Sequence, residues 1–137
     1  MIDKNLLDDM IIGRVEPYIY AFSTNTIPNY LKVGDTYRPV SIRLEEWKKH
    51  FPELKKEFEQ IAKVDNNSYF RDFSVHEFLE NDKHRKRLLK PDIPTSVYYS
   101  REFFKNATKE DVVEAIEDIK KITQINQISI IFIMLKL

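Results

Sequence analysis

The chain contains no cysteine. That excludes a disulfide framework, a thiolate metal centre and a cysteine nucleophile, and it fits a reducing compartment. Glycine is nearly absent as well: Gly13 and Gly34 are the only two in 137 residues. No glycine-rich phosphate loop and no Gly-x-Ser-x-Gly nucleophile turn can be built from them. The three histidines, His50, His76 and His84, lack the spacing of a zinc site. There is no run of about 18 apolar residues that would span a bilayer. Acidic residues stand close to the N-terminus, where a secretory signal would carry a basic stretch and an apolar core. A cytoplasmic protein with no membrane partner is the expectation. Net charge is missing too: 22 basic residues balance 22 acidic ones. This argues against coating nucleic acid by bulk charge but leaves room for local basic patches.

What the chain does have is 42% apolar and 32% charged residues, the composition of an ordinary globular domain. Residues 3–12 read as a short leading helix within an N-terminal extension, 1–14. Tyr18–Phe22 reads as a buried strand and Tyr30–Gly34 as its hairpin partner, across a Ser/Thr/Asn/Pro loop. Pro39 opens a helix whose Val40, Leu44 and Trp47 recur on one face. Phe58–Val64 is the expected third strand. Arg71–Leu79 reads as a helix, 81–96 as an irregular basic segment, Val97–Tyr99 as a short strand and Ser100–Phe104 as a turn or helical start. Thr108-x-x-Asp111 has the form of a capping box, with Val112, Ile116 and Ile119 behind it. The main domain is thus expected over 15–122. The apolar segment 123–137, ending ISIIFIMLKL, reads as a last strand or as the opening of a further region.

Several side chains stand out. Tyr20 lies in an apolar strand, where a core aromatic with a satisfied hydroxyl is the plain reading. Lys32 sits among Tyr30, Leu31, Val33 and Gly34, so it is either exposed at a sheet edge or placed for a purpose. Gly34 falls where a strand meets a helix, which suits close backbone approach. Arg43 borders the buried helix face and offers a planar fork suited to phosphate, or a surface ion pair with Glu45 or Glu46. On the helix over 71–79, Asp72 and His76 share a face, either as a local hydrogen bond or as part of a site that holds a cation. Lys83–Lys90 packs five Lys/Arg into eight residues. Lys83, Arg85, Lys86 and Arg87 are either phosphate contacts or a solvated surface.

Taken together, Tyr18-Ile19-Tyr20, Lys32-Val33-Gly34, Arg43 and Asp72 resemble, in order and spacing, the GIY-YIG nuclease superfamily. The likeness is strongest to a branch with lysine at the second tyrosine, and Glu102-Phe103-Phe104 is similar to a Glu-aromatic-Phe element of that branch. The likeness spans roughly 15–122. Two places depart from the pattern: tyrosine stands for glycine at 18, and aspartate for the commoner glutamate at 72. The resemblance implies an α+β domain with a small three-stranded antiparallel sheet flanked by helices. It further implies hydrolysis of DNA with one Mg2+ or Mn2+ ion. Tyr20, Lys32 and Arg43 would be the catalytic residues and Asp72 the metal ligand. Tyr18, Gly34 and His76 would be supporting residues, and fused or associated helicase or restriction domains the partners. The alternative is a degenerate module that binds nucleic acid or protein without cutting.

Overall fold

A computed structural model describes residues 16–65 and 68–136. The leading helix expected over 3–12 lies outside them. The elements are β1 (Tyr18–Ser23), β2 (Tyr30–Thr36), α1 (Val40–Trp47), β3 (Lys55–Ile61), α2 (Asp72–Asn81), β4 (Phe103–Lys105) and α3 (Lys109–Leu135), with a 3-10 turn at Lys90–Asp92. The four strands form one antiparallel sheet in the order β3-β1-β2-β4.

Both faces of this sheet are covered, which is why β1 reads as a continuous apolar run rather than an alternating one. Ile19, Ala21, Leu31, Val33 and Phe104 pack on one side against Val75 and Leu79 of α2 and Val112, Ala115 and Ile116 of α3. On the other side, Tyr20, Phe22 and Phe103 pack against Val40, Leu44 and Trp47 of α1, with Ile27, Phe51 and Leu88 closing the layer. Burying a large apolar side chain stabilises by about 1.5–3 kcal/mol, so each face holds its helices firmly. The capping box forms as expected. The Asp111 backbone N–H donates to Thr108 Oγ1 at 3.2 Å, and the Thr108 N–H donates to Asp111 Oδ2 at 3.0 Å.

Four points correct the sequence reading. The sheet has four strands, not three. The added strand is β4, at the place read as a turn or helical start. Its three residues carry too little pattern to announce a strand, and it exists because Tyr30, Leu31 and Lys32 pair with Lys105, Phe104 and Phe103. Val97–Tyr99 is not a strand. The third strand begins three residues earlier than expected, at Lys55, because an edge strand with one neighbour can present charged residues such as Lys55 and Lys56 to solvent. Finally, the apolar stretch near the C-terminus is helical. It continues α3 without a break to Leu135, with large side chains from Ile128 to Leu135 more than half exposed. No helix among the described residues is long and apolar enough to cross a membrane.

Candidate active site

The hairpin register builds the centre of the site. Tyr20 lies opposite Gly34, and Phe22 lies opposite Lys32. Cross-strand partners share a sheet face, and alternate residues of a strand return to it, so all four side-chain positions point the same way. Gly34 is what allows the polar heads to meet there. A Cβ at this residue would stand 2.7 Å from the Tyr20 hydroxyl, 2.9 Å from its Cζ and 3.0 Å from Lys32 Nζ. The glycine therefore answers a need for space. Tyr18, two residues before Tyr20, shares the face at its margin and lines a concavity with Tyr37 and Val40.

Lys32 is completely buried. Its ammonium donates to Glu102 Oε1 at 2.8 Å and lies 4.3 Å from the centre of the Trp47 ring. The Tyr20 and Phe22 rings stand 5.3 and 5.9 Å away. A desolvated cation needs such company: one carboxylate and the electron-rich faces of the surrounding rings. Of the two readings open for Lys32, edge exposure is excluded.

Arg43 comes from α1, one turn before Trp47. Its guanidinium lies 5.1 Å from the Trp47 ring centre and donates to Glu46 Oε1 at 3.1 Å. Burial works against its charge, but Tyr20 and Glu46 outweigh that and hold it protonated. The Tyr20 oxygen accepts a bond from Trp47 Nε1 at 2.8 Å, so its own proton points elsewhere.

The acidic part of the site is assembled at the open end of β2. Asp35 accepts from Arg71 Nε at 2.6 Å and from the Asp72 backbone N–H at 2.9 Å, which docks the start of α2 against the strand. One turn on, His76 Nε2 lies 2.7 Å from the Val33 carbonyl. A carbonyl only accepts, so Nε2 carries the hydrogen and Nδ1 keeps a lone pair. Ligand atoms of Asp72, His76 and Glu102 all lie within 4.8 Å of one another. Burial first, then the charges of Asp35 and Glu102, pushes the Asp72 carboxyl up to about 7. Burial also disfavours charge on Glu102, but Lys32 holds its carboxyl below the usual range. Burial lowers His76, against the pull of the Val33 carbonyl and Glu102, and so keeps it neutral. The cluster therefore gathers two carboxyl groups, an imidazole and an ammonium.

The structure brings Tyr20, Lys32, Gly34 and Arg43 together and joins Asp72 and His76 to them through Glu102. Glu102 stood within the Glu-Phe-Phe likeness but was assigned no role. The signal that finds it is physical: a lysine buried in a strand demands an anion. Of the four basic residues, Lys83 pairs with Glu114, Arg85 with Asp111 at 3.0 Å and Arg87 with Glu80 at 2.8 Å. Arg87 also lies 4.9 Å from the Phe104 ring centre, near His76. Most of the segment's charge is thus neutralised within the chain, and Lys86 is exposed. Comparison with protein-family models, with curated proteins and with solved structures finds no match.

Proposed function

We propose that this chain is an endonuclease domain that hydrolyses DNA phosphodiester bonds with the help of one divalent cation. The observation that carries the reading is the meeting of Tyr20 and Lys32 at Gly34 on one sheet face, with Arg43 5.1 Å from the centre of the Trp47 ring and with Glu102 linking Lys32 to Asp72 and His76. Arg43 has the fork that binds a phosphate oxygen and offsets the charge that builds on it. Tyr20 is itself buried, so it would act as a base only toward a water admitted beside it and only after passing its own proton to solvent, with the bond from Trp47 Nε1 stabilising the phenolate that results. Lys32 is covered, so its charge acts through Tyr20 and Glu102 and not by touching substrate.

The donor set fits a divalent cation. Two carboxyl groups and an imidazole suit Mn2+ better than Mg2+, which prefers oxygen ligands alone. When bound there, the ion would stabilise charge on the leaving oxygen. The test is nicking of supercoiled plasmid by the purified chain with Mg2+ or Mn2+. Arg43→Ala should lower the rate about 100- to 1,000-fold, the cost of removing one donor to a developing anion. Nicking that persists undiminished in both Tyr20→Phe and Arg43→Ala would defeat the proposal.

One observation favours a second reading, a module that binds nucleic acid without cutting it. The carboxylate of Glu102 is already engaged by the buried Lys32, so the ion pair competes with a cation for the same oxygens. DNA binding with no metal-dependent nicking under any divalent cation would select it.

A further inference from the structure

Beside Arg43 lies an open concavity of about 240 Å³ that the proposed chemistry does not use. Arg43, Glu46, Trp47, Lys49, His50 and Tyr98 line it. His50 and Tyr98 form its unusual part. Their rings are stacked nearly parallel, 12° apart, with centroids at 3.7 Å. Both residues are exposed, Tyr98 to 47%. Trp47 braces the pair from below, its ring edge-on to Tyr98 at 5.9 Å and to His50 at 6.3 Å. A parallel aromatic pair on the surface is a stack that a further flat ring can extend.

The charges around the pair suit a nucleotide. Arg43 and Lys49 are cations at the rim, while Lys48 is taken up by Glu45 at 2.8 Å. Glu46, the one acid there, is bound by both Arg38 and Arg43, so it offers little repulsion to a phosphate. The floor of the concavity is the same Trp47 that donates to Tyr20. A base stacked on this pair would therefore place its own backbone beside Arg43. Bases inside an intact duplex have both faces occupied, so only an unpaired or extruded base can stack here.

We propose that Tyr98 and His50 form a stacking platform for an unpaired nucleobase next to the cleaved phosphate, which directs the chain to single-stranded or locally unpaired DNA. The proposal rests on the nuclease reading for the cleavage step alone. Binding tests it without that step, in the presence of chelator so that no strand is cut. The probe is an oligothymidylate carrying one 2-aminopurine, free or annealed to its complement, monitored by 2-aminopurine and Trp47 fluorescence. The single strand should bind about tenfold or more tightly than the duplex, in line with the value of one stacked base. Tyr98→Ala should weaken single-strand binding about 5- to 100-fold and leave duplex binding unchanged, while Tyr98→Phe retains the preference. His50→Ala provides a second removal of the stack, with circular dichroism confirming the fold of each variant. Equal affinity of Tyr98→Ala and the parent for the single strand, a preference for duplex, or no binding by the parent would overturn the platform. A single-strand preference that vanishes in Tyr98→Ala, without any metal-dependent nicking, would reject the nuclease reading and keep the platform. Duplex nicking that Tyr98→Ala does not alter would do the reverse.

Discussion

Replacing Asp72 with asparagine tests the electrostatics of the site through stability, independently of any substrate. The Asp72 carboxyl is pushed from its ordinary 3.8 to about 7, by burial first and then by Asp35 and Glu102. Across that window the unfolded chain has released a proton that the folded chain still holds. Rising pH therefore favours unfolding, and the stability present below the ordinary value is lost as pH climbs to the folded one. The full displacement corresponds to about 4 kcal/mol at 1.36 kcal/mol per pH unit. Asp72 is only partly buried, so solvent screening reduces this, and about 1–2 kcal/mol is expected. Glu102 works in the opposite sense. Its lowered carboxyl contributes stability above the ordinary 4.5 that fades as pH falls below it, so the parent profile should be domed. Asparagine mimics the protonated form at every pH. In chelator, Asp72→Asn should match the parent near pH 4 and exceed it by about 1–2 kcal/mol near pH 8. Urea unfolding monitored through Trp47, the single tryptophan, reads this at the site itself. A divalent cation at ten times its dissociation constant should then stabilise the parent by about 1.4 kcal/mol and the variant much less. Parallel pH profiles for the two proteins would refute the account of Asp72.

Gly34→Ala should force the Tyr20 hydroxyl and Lys32 Nζ apart, costing about 1–3 kcal/mol in thermal or urea unfolding and most of any nicking activity. A fully active, equally stable alanine variant would show that the close approach is dispensable. Lys32→Met should cost about 3–5 kcal/mol because Glu102 loses its cation, and adding Glu102→Gln should recover much of that in a double-mutant cycle. Additive losses would mean the pair is not coupled. Neutralising Lys83, Arg85, Lys86 and Arg87 together should change the log–log salt slope of duplex binding by about 1, since three of the four already pair with acids. A change near 4 would show that DNA displaces those pairs.

Much of the local structure was legible in the sequence, because its causes are local. The hairpin came from two β-rich runs around a Ser/Thr/Asn/Pro loop. Helix α1 came from Pro39 and the Val40, Leu44 and Trp47 stripe, and the start of α3 from the reciprocal bonds of Thr108 and Asp111. The order of Tyr20, Lys32, Gly34, Arg43 and Asp72 along the chain was enough to pick them out. Whether they meet was not a local matter. It depended on a register that sets Tyr20 against Gly34, and on a sheet whose two covered faces bring α1 over one side and α2 over the other.

Strand β4 and Glu102 show where sequence reading stops. Three residues of strand carry no pattern of their own and are defined by hydrogen bonds to β2, some 70 positions earlier. The carboxylate that β4 delivers is needed only because Lys32 is buried, and burial is a property of the assembled sheet. Composition and periodicity determined which segments would become strands and helices. Long-range pairing and desolvation decided which charges had to find one another, since a cation removed from water must be matched by whatever anion the fold places within reach.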